Sequence, residues 1–189
     1  TIVEGDIAAT GSAGAGGTVK VLGNLVGLTG HANIDASGNT QGGTVLVGGD
    51  YQGKNPDVQN AFRTYVGPDV TIHADAITAG DGGRVIVWAD DATRSYGNIS
   101  ARGGAQGGDG GFVETSGKGY LAVTRAPDIS APAGQGGTWL LDPLNITVTS
   151  TDLNILDIDP GADANFQPTV GSSTIAVSTI VGALNGGNV

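Results

Sequence analysis

The sequence predicts an all-β fold, a right-handed parallel β-helix, and three observations lead to this prediction. Glycine accounts for 35 of the 189 residues, well over twice its usual share of roughly 7%. Between the glycines lie short runs rich in β-branched residues, such as Thr44–Val47 and Arg84–Val87. Both features recur in a fixed order along the chain, which is the sequence signature of a solenoid of stacked coils.

Gly-Gly pairs that precede such a run divide the chain into repeats. The pairs begin at Gly16, Gly42, Gly82, Gly110 and Gly136, with spacings of 26 to 28 residues and one of 40. An apolar Ile-x-Ala segment lies upstream of each pair, beginning at Ile7, Ile34, Ile72, Ile99 and Ile129. The unit therefore consists of Ile-x-Ala, a glycine-rich turn, Gly-Gly-x-Val-x-Val and, in several repeats, a third strand such as Leu25–Leu28.

Alternation with period two gives each strand one apolar face, which a single unit cannot bury. Stacking the units so that equivalent strands pair in parallel, about 4.8 Å apart, joins these faces into one continuous core. An antiparallel sandwich or barrel is also built from short strands and frequent turns. The recurrence of the same turn in the same order favours the β-helix, because translation along one axis produces that recurrence.

The one longer spacing predicts an insertion at about residues 50–68, which is unusually polar and aromatic for this chain. One interpretation is a loop that contacts a ligand, because insertions in solenoids cluster on binding faces. Its candidate contact residues are Tyr51, Lys54, Arg63 and Tyr65. The alternative is a structural loop or short helix on the outside of the coil, with Pro56 at its start and continuing from Val58 to Thr64.

The pattern changes after Pro143, where we place a domain boundary. Residues 1–143 are predicted to form the β-helical repeats, and residues 144–189 an acidic loop, a short helix and the start of a further β-helical module. Ile146–Thr149 is a predicted strand. A helix is predicted from Thr179 to Asn185, capped by Ser178 and ended by the glycines that follow.

Three acidic residues alternate in the predicted loop and are weak candidates for a calcium site: Asp157, Asp159 and Asp163. Calcium binds six to eight oxygens in a loop that bends at glycine. The spacing departs from the EF-hand loop, so an ordinary acidic loop is the alternative. No other cofactor is predicted.

Composition excludes several classes of function. The net charge is −10 and the 8 basic residues are scattered singly, whereas nucleic-acid binding requires clustered Lys and Arg. Cysteine is absent, which excludes disulfides, thiolate metal sites and thiol nucleophiles. Methionine is also absent, so we expect a processed or excised piece whose export signal lies upstream.

Three strings resemble the repeats of filamentous-haemagglutinin-like exoproteins of two-partner secretion systems: GGTVLVGGDYQGKNPDVQNA, GGRVIVWADDATRSYGNISARGGAQGGDGGFVETSGKGYL and GQGGTWLLDP. The resemblance covers about residues 15–143, and the final STIVGALNGGNV is similar to the segment that opens a further module in such proteins. The Asn-Pro-Asn signatures of the family's amino-terminal secretion domain are missing. We therefore expect a segment of the exported shaft.

The resemblance implies a long β-helical protein that crosses the outer membrane of a Gram-negative bacterium through a barrel transporter. It also implies a secreted, extracellular location at the cell surface, with a role in adhesion or biofilm formation. A host glycan or a surface receptor is the implied ligand. The lack of cysteine agrees with passage of an unfolded chain through a narrow pore.

Two groups of residues could be read as catalytic. His31 and His73 lack a neighbouring nucleophile and acid in the sequence, so turn or surface positions are favoured for them. Asp90 and Asp91 with Arg94 are the most site-like cluster, because polysaccharide-cleaving β-helices use carboxylates and basic residues. Adjacent acids diverge in an extended chain, however, and Arg94 could simply neutralise them in a solvated turn.

Other residues admit a role in sugar binding or modification. Trp88 and Trp139 could stack on sugar rings, although packing in the core is the more frequent role of such residues. The sequons at Asn98 and Asn145 are candidates for attached sugars.

Taken together, these features predict a structural and adhesive module without turnover chemistry. An alternative is a self-assembling filament subunit, because a β-helix end without a cap exposes unpaired strands that can stack on a second copy. A polysaccharide-active enzyme is a third hypothesis, and it requires convergent acids and bases in a cleft.

Overall fold

The computed structural model describes residues 1–150 and 173–189. It confirms the predicted β-helix: parallel sheets form a β-solenoid of about five turns. Within the described part of the chain, no helix is both long enough and apolar enough to cross a membrane. The predicted calcium residues Asp157, Asp159 and Asp163 lie outside the described residues.

Strands are numbered in chain order, and the described strands form three sheets. The first sheet contains, from one edge to the other, β1 (Ile2–Val3), β4 (Leu25–Leu28), β7 (Arg63–Val66), β10 (Ala92–Ser95), β13 (Tyr120–Val123), β16 (Thr174–Ala176) and β15 (Thr147–Thr149). Every pairing in it is parallel. The predicted third strand of the unit is therefore confirmed at Leu25–Leu28.

The other two sheets contain the two strands that define the repeat. The second sheet contains β2 (Asp6–Ala8), β5 (Asn33–Asp35), β8 (Thr71–His73) and β11 (Asn98–Ser100). The third contains β3 (Thr18–Val21), β6 (Thr44–Val47), β9 (Arg84–Ala89), β12 (Phe112–Gly117), β14 (Gly137–Leu141) and β17 (Gly187–Asn188). The first four coils thus pass through all three sheets, whereas the fifth meets the second sheet only through a bridge between Ser100 and Asp128.

The spacing of the Gly-Gly pairs sets the register of the third sheet. The residues that follow the pairs lie side by side across it: Thr18, Thr44, Arg84, Phe112 and Thr138. The predicted equivalence of the five pairs is therefore confirmed. The second residue of a pair must be glycine where coils approach closely. A Cβ on Gly83, for example, would overlap the carbonyl oxygen of Gly43 in the preceding coil.

The fifth Ile-x-Ala segment departs from the predicted alignment. Ile7, Ile34, Ile72 and Ile99 lie in register, but Ser100 pairs with Asp128, which shifts the fifth coil by two residues. Ile129 therefore accepts a hydrogen bond from Gly137, as Ala101 does from Gly111 in the coil before it. Either alanine or isoleucine can fill this inward position. The pattern of apolar residues therefore does not determine which residues of neighbouring coils pair.

The core runs along the inside of the coils. Its central residues are fully buried β-branched and aromatic side chains, including Ile34, Ile72, Val45, Val85 and Trp139. Trp139 also donates its indole N–H to the Thr115 hydroxyl at 2.9 Å. Inward burial of one face of each strand is the outcome that period-two alternation predicts.

The insertion differs from its prediction in extent and conformation. Residues 63–66 form β7, a regular strand of the first sheet, so the additional residues are 48–62. The predicted helix from Val58 to Thr64 is wrong, because Thr64 belongs to that strand. A short 3₁₀ turn at Tyr51–Gly53 is present instead, and Asp50 caps it by accepting the Tyr51 N–H at 2.7 Å.

The carboxyl-terminal residues add to the sheets. The predicted strand near residue 148 is confirmed as β15. Helix α1 spans Val177–Leu184, with Ala176 at its N-cap. Ser178 therefore lies in the first turn, and its predicted capping role is wrong. β17 pairs with β14 and extends the third sheet, while the domain boundary near residue 143 stays a prediction.

Candidate functional site: the 48–62 insertion and the sheet face it covers

The insertion, residues 48–62, lies against the outer face of the third sheet. Only two or three residues connect that sheet to the next strand between β3 and β4, between β9 and β10 and between β12 and β13. Val58 of the insertion packs with Leu46, Ile86 and Trp88, which point outward from β6 and β9. The insertion therefore covers an apolar patch that would otherwise face solvent.

Trp88 is the centre of this contact, and only 4% of it is exposed. Its indole ring lies against Gly49 and Gly53, where a Cβ would overlap the ring. The indole N–H donates to Asp90 Oδ1 at 3.2 Å. Asn60 donates to the same oxygen at 3.2 Å and to the Gly53 carbonyl at 2.9 Å, so polar contacts fix the insertion around the ring.

Glu114 on β12 is fully buried under the insertion. Both of its carboxylate oxygens accept the backbone N–H of Gln52 at 3.2 Å. Burial raises the pKa of Glu114 above its ordinary value, although hydrogen bonds from Gln52 and Ser116 act in the opposite direction. The carboxylate therefore contributes a directed contact to the insertion at an electrostatic cost.

Arg84 connects the insertion to the sheet on its exposed side. Its guanidinium lies 5.5 Å from the centre of the Tyr51 ring and 6.0 Å from that of Phe112. It also forms an ion pair with Asp50 at 3.1 Å. Burial raises the pKa of Asp50, but hydrogen bonds from Asn55 and Tyr51 and the charge of Arg84 lower it overall. The positive charge of Arg84 is therefore neutralised within the site by Asp50.

The structure separates the four predicted contact residues. Tyr51, which is 42% exposed, and Lys54, whose ammonium donates to Gln52 Oε1 at 2.6 Å, lie on the surface of the insertion. Arg63 lies on β7, where it binds Asp91 at 2.7 Å. Tyr65 is buried and packs edge-on against Tyr96, with 6.0 Å between ring centroids. Only Tyr51 and Lys54 are placed to meet a ligand.

The acidic pair after Trp88 makes structural contacts. Asp90 accepts from Trp88 and Asn60, whereas Asp91 binds Arg63 through its guanidinium Nε at 2.7 Å. Arg63 therefore neutralises Asp91, in place of the predicted Arg94. Arg94 itself is 1% exposed and lies 5.9 Å from the centre of the Tyr120 ring. Asp90 and Asp91 therefore bind different groups.

A second polar cluster lies on the second sheet, and of its members only His73 was a candidate in the sequence analysis. His73 Nδ1 is 2.8 Å from the Ser100 hydroxyl, which donates to the buried Asp75 at 3.0 Å. Arg102 binds Asp75 through its backbone N–H at 2.7 Å and its guanidinium at 2.8 Å. The hydrogen bond from Arg102 to Asp75, followed by the charge of Asp75, raises the pKa of Arg102.

The geometry of this cluster differs from that of a catalytic triad. Because the single Ser100 proton is donated to Asp75, His73 Nδ1 is the donor to Ser100. In a triad the imidazole accepts the serine proton and the acid orients the imidazole, whereas here the serine lies between the two. His31, by contrast, is an exposed turn residue, as predicted.

The remaining candidates do not form a ligand site. Trp88 and Trp139 are both buried, so neither is available for stacking on a sugar ring. Among residues 1–150 and 173–189, no group of three or more His, Cys, Asp or Glu side chains could hold a metal ion.

The chain is similar to the solved structure of the HMW1 secretion domain from Haemophilus influenzae. The match has 34% sequence identity and a TM-score of 0.59, and it covers 74% of this chain. The chain spans 36% of the length of that secretion domain. No family model and no curated protein matches the chain.

Proposed function

We propose that this chain is a non-catalytic segment of a large exoprotein of a two-partner secretion system, with a structural and adhesive role at the surface of a Gram-negative bacterium. The observation that carries the proposal is the similarity to the HMW1 secretion domain, in sequence and in fold, over 74% of the chain. The resemblance of the repeats to filamentous-haemagglutinin-like proteins agrees with it. The similar structure is a secretion domain, so the comparison gives no support to the shaft position that the missing Asn-Pro-Asn signatures predicted.

The proposal implies an outer-membrane barrel transporter as the partner during export. Two properties of the chain suit such a passage. Cysteine is absent, so no disulfide can lock the chain before it is threaded. Each coil contacts its neighbours through parallel pairing in register, so coils can be added one after another as the chain emerges.

The proposed adhesive surface is the exposed part of the insertion. Tyr51 and Lys54 project from a segment that Trp88, Glu114 and Arg84 hold in one conformation. A rigid loop loses little conformational entropy when it binds, which favours affinity. An exposed aromatic side chain such as Tyr51 is also typical of protein interfaces and can stack on a sugar ring.

Binding of the purified chain to epithelial cells tests the adhesive part of the proposal. The double variant Tyr51→Ala with Lys54→Ala is expected to lower saturable binding at least fivefold. The matched control is Ile77→Ala with Lys118→Ala, which removes an exposed apolar side chain and an exposed lysine outside the insertion. Equal binding by the two double variants would exclude the insertion as the contact surface.

The non-catalytic part of the proposal rests on the contacts of the titratable groups. Asp90 and Asp91 bind separate structural partners, and His73 donates to Ser100 instead of accepting its proton. Incubation with a broad glycan panel is expected to release no product. Release that Asp90→Asn or Asp91→Asn abolishes would instead establish a polysaccharide-active enzyme.

A further inference from the structure

A surface groove of about 490 Å³ crosses four consecutive coils beside the insertion. Residues 41–44, 81–84, 109–112 and 136–138 line it, so each coil contributes the same part of its repeat. Equivalent strands of neighbouring coils are about 4.8 Å apart. The groove therefore presents a regular series of similar positions along the solenoid axis.

The floor of the groove is formed by the Gly-Gly pairs. The N–H groups of Gly42, Gly82 and Gly110 donate to the carbonyl oxygens of the next coil, at 2.8 to 2.9 Å. These donors are thus already used in coil stacking. An extended peptide laid along this part of the floor would find these three N–H groups already paired, so binding by strand addition is disfavoured.

One wall of the groove offers polar side chains at regular intervals: Gln41, Asp81 and Asp109. Asp81 Oδ1 accepts the N–H of Asp109 at 2.8 Å, and Asp109 Oδ1 accepts the N–H of Gln135 at 2.8 Å. These bonds fix the two carboxylates against the coils. Both side chains are exposed, and in the described residues the second oxygen of each holds no hydrogen bond, which leaves it able to accept from hydroxyl groups.

The opposite wall consists of Thr44, Arg84, Phe112 and Thr138. The Arg84 guanidinium is paired with Asp50, and the Tyr51 ring packs edge-on against Phe112, with 5.9 Å between centroids. This wall supplies hydroxyl groups and half-exposed aromatic surface. Because the one basic residue is paired and two free carboxylate oxygens face it, the groove disfavours a polyanion.

We propose that a neutral, linear glycan binds along this groove. Hydroxyl groups of successive sugars would donate to Asp81 and Asp109, and a sugar ring would stack against Phe112 at the edge of the insertion. A polymer with a regular repeat fits a surface that repeats from coil to coil. This inference rests on the proposed adhesive function and names the class of ligand for it.

Calorimetric titration of the full chain with neutral tetrasaccharides (cellotetraose, mannotetraose and maltotetraose) tests the inference. At least one is expected to bind saturably, while the anionic tetragalacturonate binds at least tenfold more weakly. Thr138→Phe fills the groove from an exposed position and is expected to lower affinity at least tenfold. Thr18→Phe is the matched control, because Thr18 is the equivalent exposed residue of the first coil and does not line the groove.

Three outcomes would overturn the inference: no binding of any neutral tetrasaccharide, tighter binding of tetragalacturonate, or equal affinity of the Thr138→Phe and Thr18→Phe proteins. Cell binding by the same two variants separates this inference from the adhesive proposal. If cells bind both variants equally while Tyr51→Ala with Lys54→Ala loses binding, the groove assignment is wrong and the adhesive surface stands. If no variant or wild-type protein binds cells or glycans, both are wrong.

Discussion

The backbone N–H of Gln52 lies 3.2 Å from each carboxylate oxygen of the fully buried Glu114. Gln52 has a φ of 53°, in the left-handed region that non-glycine residues seldom adopt. Its local conformation therefore costs energy, which the contact with Glu114 helps to offset. A residue on β12 thus determines the shape of a loop that follows β6, two coils earlier in the stack.

Replacing Glu114 by Gln is expected to stabilise the protein near neutral pH. The amide keeps one of the two oxygens that accept the Gln52 N–H and loses the second contact, but the removal of a buried charge outweighs that loss. Because the pKa of Glu114 is raised in the folded state, its ionisation destabilises the fold at higher pH. Thermal unfolding midpoints of both proteins, measured from about pH 8 to about pH 4, test this.

The sign of the pH dependence follows from linkage. The folded state binds the Glu114 proton more tightly than the unfolded state, so the cost of ionisation fades as pH falls through the raised pKa toward the ordinary value of 4.5. The advantage of Glu114→Gln should therefore shrink on acidification. A difference in midpoint that stays constant over this range would show that Glu114 carries no raised pKa.

Replacing Trp88 by Ala is expected to destabilise the protein by roughly 3–5 kcal/mol, because it leaves a cavity under the insertion. The insertion should also become susceptible to protease, since its glycines lose the ring on which they pack. Urea unfolding and limited proteolysis measure the two effects. Phe62→Ala, at a residue of the same insertion that is 45% exposed, is the control and should alter stability little.

Replacing Gly83 by Ala is expected to prevent normal stacking of the third coil on the second. The added Cβ would overlap the Gly43 carbonyl oxygen, a backbone atom that cannot move aside. Overpacking of this kind costs about 1–3 kcal/mol or more. Gly5→Ala meets no atom within 4 Å, so its unfolding midpoint in urea should stay near that of the wild type, and equal loss in both variants would contradict the stacking argument.

Replacing Asp75 by Ala is expected to cost roughly 1–3 kcal/mol, because the Ser100 hydroxyl and the Arg102 N–H lose their acceptor in a buried setting. Asp128→Ala is the control, since Asp128 is half-exposed, lies 3.9 Å from Arg102 and accepts hydrogen bonds from Ser130 within its own exposed turn. Exposed ion pairs of this kind contribute about 0–1 kcal/mol. Similar destabilisation by the two variants would show that the His73–Asp75 cluster adds little to stability.

The coil architecture could be predicted from the sequence because local features determine it. The Gly-Gly pairs occur where neighbouring backbones approach too closely for a Cβ, so their spacing reports the length of each coil directly. The position of the insertion followed from the one spacing that differs. The predicted end of the insertion was wrong. Arg63–Val66 has the polar and aromatic residues of a loop, but it pairs as a strand.

Contacts between coils could not be predicted in the same way. The pairs Gln52–Glu114 and His73–Ser100 join residues far apart in sequence, and their meeting depends on lateral register to within one residue. The two-residue shift at Ile129 illustrates the difficulty, because alanine and isoleucine satisfy the same inward position. Which of the two residues occupies the position depends on the contacts between coils in the folded protein.

Antibody labelling of intact cells tests whether the protein is exported through a dedicated transporter. Antibodies against residues 1–143 would be applied to the source bacterium and to a strain that lacks the partner transporter gene, with permeabilised cells as the expression control. Intact wild-type cells are expected to be labelled and intact mutant cells are not, with the protein still detected in the mutant after permeabilisation. Equal labelling of both intact strains, or signal only in permeabilised wild-type cells, would contradict it.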